Sequence, residues 1–297
     1  MYPGTYSATT PDKVAVIIAE TGETVTYTEL DDRSNQLAQL WHSYGLRAGD
    51  HVAILAENHA RYFEVYWAAL RSGLYLTTVS RHLSVDEAAY IIGDSGAEAL
   101  VTSRRMADVA ALLPPRIPKC RARLMTDGAV KGYAPYEDAI ASQPPEPLAD
   151  QPAGATMLYS SGTTGRPKGI KRPLSGRSVE EGEPVTLFLG SLFGFSSETV
   201  YLSPAPIYHS APLGFSMGLL SMGATMVMME DFDPREALRC IERYRCNHGQ
   251  WVPTMFTRML KLPEEERLRY DVSSLKGAVH AAAPCPVSVK QQMIEWW

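Results

Sequence analysis

Cysteine is scarce in this chain of 297 residues: Cys120, Cys240, Cys246 and Cys285 are the complete set, and none forms a CxxC pair or stands at metal-ligand spacing from a histidine. That excludes a disulfide-stapled scaffold and a zinc module, and it points to reduced thiols and a cytoplasmic setting. No apolar run approaches the ~18 residues of a membrane span, which leaves only peripheral membrane contact open. Residues 1–11 lack a basic stretch followed by an apolar one, so no signal peptide is read. Basic clusters interleaved with aromatics are also missing and the net charge is −5, which argues against nucleic acid as a partner.

What the chain does have is apolar content, 45% of its residues, enough for a large core in one bilobed domain or two domains. Buried-looking runs at residues 14–18, 50–55, 74–79 and 99–102 read as strands. Amphipathic stretches separate them, one opened by a capping-box pattern at Thr28 and Asp31, another by Ser84 with Glu87. Residues 104–113 read as a helix. The alternation predicts an α/β fold with two βαβ-type lobes, mostly parallel sheets flanked by helices. Between 114 and 154 the chain turns proline-rich and acidic, most clearly at 143–151, and is expected to connect the lobes near 143–154. A strand at 155–159 follows, then a polar excursion at 171–183, strands near 199–203, 224–229 and 276–280, a strand ending at 251–253, and helices from about 215, 234 and 254. A last helix runs to Trp297 with no stop signal, which suggests a chain that ends inside a longer architecture.

Residues 159–170, YSSGTTGRPKGI, hold three glycines, two serines, two threonines, one arginine and one lysine directly after the strand at 155–159. Glycines let backbone N–H groups converge, hydroxyls add donors, and Lys168 adds a mobile positive charge, so the run reads as a cradle for polyphosphate. It is not a P-loop. That motif needs a wider glycine spacing and Ser or Thr after the lysine, whereas Gly162 and Gly165 are close and Gly169 follows Lys168.

The run closely resembles the signature loop of the adenylate-forming superfamily: acyl-CoA synthetases, adenylation domains and luciferases. The resemblance implies that Ser160, Ser161, Gly162, Thr163, Thr164, Gly165 and Lys168 hold ATP phosphates while a carboxylate attacks the α-phosphorus. His209, in PIYH, resembles the position that closes over the acyl carboxylate. Ala281, Ala282, Ala283 and Pro284 resemble the adenine-packing segment, with Ala281 where glycine is usual. Residues 251–256 resemble the acyl-pocket junction, so Leu213, Phe215, Trp251, Met255 and His280 are implied to border the acid alongside His209. Fatty-acid-CoA ligases are the most similar branch, which implies ATP, Mg²⁺ and CoA and a hydrophobic acid. Only the front part of the family's pattern is matched: residues 1–297 correspond to a truncated N-terminal domain, with the magnesium carboxylate, a small barrel and a C-terminal domain expected beyond Trp297. The fragment alone is then expected to bind ATP weakly and to make little acyl-adenylate.

Two other readings stand beside it. Residues 214–218, GFSMG, match the GxSxG elbow of serine hydrolases with Ser216 as nucleophile, although residues 210–213 make a poor preceding strand. A domain that binds nucleotide or acyl ligand without turnover is the other.

Overall fold

Strands and helices alternate along the computed structural model, which describes residues 2–160 and 166–297. The chain opens with α1 (Pro3–Thr9), β1 (Val14–Ile18), β2 (Thr24–Thr26) and α2 (Tyr27–Ser43). It continues through β3 (His51–Leu55), α3 (Arg61–Arg71), β4 (Tyr75–Val79), α4 (Val85–Asp94) and β5 (Ala99–Ser103). Short α5 (Ala107–Ala110), β6 (Ala122–Thr126), β7 (Ala134–Pro135) and α6 (Tyr136–Ala141) lead to β8 (Ala155–Tyr159) and β9 (Gly169–Lys171). Then come α7 (Pro184–Phe193), β10 (Val200–Ser203), α8 (Ser210–Ser221), β11 (Thr225–Met228) and α9 (Pro234–Tyr244). The remainder is β12 (His248–Trp251), α10 (Pro253–Leu260), α11 (Glu264–Arg267), β13 (Gly277–His280) and α12 (Val287–Trp296).

Two compact units result, one of residues 28–182 and one of residues 1–27 with 183–297. The first is built on a sheet of order β7-β6-β5-β3-β4-β8-β9, parallel except for the β8–β9 pair. Its central strands β4 and β5 are buried at every position, as parallel strands covered on both faces must be. Helix α4 seats Ala88, Ile91 and Ile92 against Leu55, Val79 and Leu100, while α3 packs on β3 and β4. The capping box at Ser84 forms as read: its hydroxyl accepts the Glu87 N–H, and the Glu87 carboxylate accepts the Ser84 N–H at 2.9 Å.

The second unit carries a sheet of order β13-β12-β10-β11-β1-β2, parallel except for β1–β2. Leu238, Ile241, Phe256, Met259 and Met293, from α9, α10 and α12, meet Leu202 and Val227 in one core. Because side chains alternate along a strand, Tyr201 and Ser203 of β10 face the other way, towards α8. Asp233 caps α9 by accepting the Arg235 and Glu236 N–H groups, with Pro234 at the first helical position. Among the described residues no helix is long and apolar enough to cross a membrane.

The α/β class with mostly parallel sheets is therefore present, but several local expectations change. Thr28 lies inside α2, which begins at Tyr27, so it does not cap the helix. Tyr27 is fixed there by tertiary contacts: its hydroxyl donates to the Ala224 carbonyl at 2.7 Å. Residues 104–113 form only a 3₁₀ turn and the single-turn α5. Residues 114–154 contain β6, β7 and α6 and do not separate the units, which divide at 27/28 and 182/183. The reason is β8, which follows the proline-rich stretch and pairs with β4 in the same sheet. The expected excursion at 171–183 likewise begins in a strand, β9.

Candidate nucleotide and acid site

Strand β8 runs parallel to β4, so its carboxyl end joins the edge where open α/β sheets gather ligands. There it turns into β9, with Tyr159 opposite Gly169 and the Ser160 N–H donating to the Lys168 carbonyl at 3.0 Å. Gly169 sits at a close approach. A Cβ there would fall 2.3 Å from Met157 Cε and 2.9 Å from Tyr159 Cζ, the side chains that lie across it from β8. Gly154 lets the chain enter β8 for the same reason, since a Cβ would sit 2.4 Å from the Leu74 carbonyl oxygen. Lys168 is exposed, and its ammonium has no hydrogen bond or ion pair among the described residues. Ser161, Gly162, Thr163, Thr164 and Gly165, expected to hold phosphate, lie outside the described residues.

Both stems of this hairpin touch α4. The Tyr159 hydroxyl donates to Asp94 Oδ2 at 2.6 Å, and the Tyr90 hydroxyl donates to the Pro167 carbonyl at 3.1 Å. The Arg166 guanidinium stands 5.1 Å from the Tyr90 ring centroid. Burial, then the Asp94 carboxylate, push the Tyr159 hydroxyl up, so it stays a donor at neutral pH. Beyond the turn, Lys171 lies 4.2 Å over the Tyr75 ring and 2.9 Å from His51 Nε2. Burial and that ammonium hold the His51 imidazole below its ordinary value. Tyr90 and Asp94 gave no short-range signal, because their partners are 77 and 65 residues away in sequence.

The same strand edge carries a second polar group. His59 Nε2 is 2.8 Å from Asp127 Oδ2, and buried Glu57 accepts the Ser103 hydroxyl at 2.5 Å. Burial draws the His59 imidazole down, but the Asp127 hydrogen bond and charge outweigh it and the net direction is up; the same bond holds Asp127 down. A cleft of about 550 Å³ among Glu98, Arg121, Arg123 and Tyr133 lies instead at the amino ends of β5 and β6, the wrong edge for the phosphate run.

In the other unit, exposed His209 stands at the N-cap of α8, its carbonyl accepting the Leu213 N–H at 3.0 Å and its ring 4.4 Å from that of Tyr208. Leu213 is buried. Phe215 is half-buried in an aromatic group with Tyr201, Phe193 and Phe195. Trp251 and Met255 occupy the core on the opposite face of the sheet, and His280 approaches them through Phe256 at 6.1 Å. The residues implied to border the acid thus divide into two groups on two faces, and Trp251 and Met255 are packed as core. Ser216 is no nucleophile: it is fully buried within α8, and its hydroxyl meets Ser203 at 3.3 Å, not a histidine. An elbow serine needs an exposed strand-to-helix turn, so the hydrolase reading fails.

The Ala281 N–H donates to the Trp251 carbonyl at 3.1 Å, and Ala282, Ala283 and Pro284 are exposed beyond it. The left-handed backbone here belongs to Ala282, at φ 75°, not to Ala281. Relieving it with Ala282→Gly should raise stability by about 0.5–1 kcal/mol, the αL penalty less the entropy of glycine. A urea titration showing a loss instead would mean that this φ carries no strain. Burial pushes the Cys120 and Cys240 thiols up to about 12, so neither is reactive at neutral pH. Among the described residues no group of three or more His, Cys, Asp or Glu could hold a metal ion.

Residues 5–297 match the AMP-binding enzyme family. The chain is 27% identical over 309 residues to the acyl-CoA ligase sidI of Aspergillus fumigatus, covering 96% of this chain and 51% of that protein. It is 29% identical over 289 residues to feruloyl-CoA synthase of an Amycolatopsis species, covering 95% and 54%. It therefore spans about half the length of these relatives. A fatty acyl CoA synthetase of Mycobacterium tuberculosis superposes with a TM-score of 0.85 over 99% of this chain and 56% of that one, at 20% identity, which is a likeness of fold. With the signature run set between β8 and β9 and the family match reaching across both units, the chain is a member of the AMP-binding, adenylate-forming enzyme family, whose acyl-CoA ligases are among its relatives.

Proposed function

We propose that this chain supplies the nucleotide- and acid-binding part of an ATP-dependent acid–thiol ligase. In the first half-reaction a carboxylate oxygen attacks the α-phosphorus of ATP, the bond to the bridging oxygen breaks, and acyl-AMP and pyrophosphate form. In the second, the CoA thiol takes the acyl group and AMP leaves. Catalysis of this kind rests mainly on positioning and on neutralising charge that develops on the phosphates.

The observation that carries the proposal is Lys168: a cation without a partner among the described residues, directly before β9 and beside the carboxyl end of β8, on the carboxyl edge of a parallel sheet. Its role is to take charge from the departing pyrophosphate. His209 would orient the carboxylate, and residues 281–284 would pack on adenine. The described residues offer no carboxylate cage for Mg²⁺, so no step is assigned to the metal; it would enter bound to the nucleotide phosphates. The aromatic group around Phe215 and the ligase relatives favour a hydrophobic carboxylic acid as substrate.

Titration calorimetry of the purified chain with MgATP, wild type against Lys168→Ala, tests this directly. Loss of one charge-assisted phosphate contact should weaken binding about tenfold or more. Equal affinity in the two proteins would sink the phosphate role. Adding alkyl, aryl and amino acids in turn to the MgATP complex should raise its melting temperature for the hydrophobic acids, and a response confined to amino acids would overturn the substrate class.

A further inference from the structure

We propose that Tyr90 and Asp94 of α4 are positioning residues that clamp the two stems of the signature loop and thereby aim Lys168 at the nucleotide phosphates. This rests on the phosphate-binding role proposed above.

Tyr90 and Asp94 lie about one turn apart on α4, so they project from one face of it. Ile91 and Ile92 of the same helix are buried in the core with Leu55 and Val79, and the Ser84–Glu87 capping box fixes its start. The helix is thus a rigid support. Asp94 grips the incoming stem through the Tyr159 hydroxyl, while Tyr90 grips the outgoing one twice, at the Pro167 carbonyl and under the Arg166 guanidinium. Lys168 follows the second grip directly, and its carbonyl accepts the Ser160 N–H that ties the stems together. Its neighbour Gly169 is the position where any Cβ would strike the Tyr159 ring, so the glycine after the lysine is what allows Tyr159 to reach Asp94. Glycine-rich sequence carries a large entropic cost of ordering, and fixing the stems at 159–160 and 166–169 lowers the cost of presenting Lys168 to a ligand.

The contacts are separable. Tyr90→Phe deletes the hydrogen bond and keeps the ring beneath Arg166; Tyr90→Ala removes both; Asp94→Asn weakens the bond from Tyr159 without emptying space. Hydrogen exchange of the segment 155–171 reads the clamp, and MgATP calorimetry on the same proteins reads its purpose. Asp94→Asn and Tyr90→Ala should each raise exchange in that segment and weaken MgATP binding about three- to tenfold, with Tyr90→Phe recovering part of the loss, while the overall melting temperature changes little. Unchanged exchange in both variants would refute the clamp. Faster exchange with unchanged MgATP affinity would refute its positioning role. If the wild-type chain binds no MgATP at millimolar concentration, the phosphate reading fails and takes the positioning role with it, whereas exchange still reports on the grips. A fall in melting temperature that accounts for the whole loss of binding would make the residues merely structural and overturn the proposal.

Discussion

Replacing Trp251 by alanine is expected to destabilise its unit by about 3–5 kcal/mol, the range for emptying a buried tryptophan site. Trp251 is fully buried at the end of β12, 6.0 Å from the Phe256 ring and 5.2 Å from that of Trp297, within the core that joins α9, α10 and α12 to the sheet. Its indole N–H has no hydrogen-bond partner among the described residues, so Trp251→Phe forfeits contact area but no hydrogen bond and should cost distinctly less. Urea unfolding of the two variants gives the comparison. A residue that lined an acid pocket would behave differently, changing acid preference with little loss of stability. That pattern, with Trp251→Ala within about 1 kcal/mol of wild type, would remove Trp251 from the core account and restore it to the pocket.

Replacing Glu64 by glutamine should cost the other unit about 3 kcal/mol or more, because it removes one partner of a buried ionic group. Glu64 on α3 is fully buried. Its carboxylate meets Arg33 and Arg61 at 3.2 Å each and accepts the Tyr136 hydroxyl at 2.9 Å, binding α2, α3 and α6 together. Without the negative charge, both guanidinium groups lose the carboxylate they share, although Glu137 still stands 3.8 Å from Arg61. Burial, the largest cause, holds the Tyr136 hydroxyl above its usual range even without the Glu64 charge, so the tyrosine cannot take up the missing charge. Arg33 is a third exposed and partly screened, so Arg33→Ala should cost only about 1 kcal/mol. Urea midpoints that place Glu64→Gln and Arg33→Ala together would show that solvent reaches the carboxylate and that the group is an ordinary surface pair.

How much of this was legible without coordinates follows from the range of the interactions involved. The strand at 14–18, the capping box at Ser84, the helix opening at 234 and the strand at 155–159 depend on residues adjacent in the chain, and each forms where its pattern indicates. β6 was hidden because ARLMT is short, carries the cation Arg123 and lies beside proline-rich sequence; its place is set by pairing with β5. Thr28 looked like a cap because its spacing fits one, but Tyr27 is drawn into the helix by contacts almost 200 residues away. Ser216 had the right motif in the wrong setting, the buried face of a helix.

The signature run by itself determined the family chemistry to look for, since its glycines, hydroxyls and lysine are a property of twelve consecutive residues. Tertiary structure decided which side chains meet the stems of that run and that Trp251 and Met255 lie in the core. Tyr90 and Asp94 reach the hairpin only after β4 and β8 have paired, and Trp251 and Leu213 fall on opposite faces because α8 packs on one face of the sheet while β12 turns Trp251 to the other, among α9, α10 and α12. A local pattern records bonds between chain neighbours; the side on which a residue finally lies is set by the partners that folding brings to it.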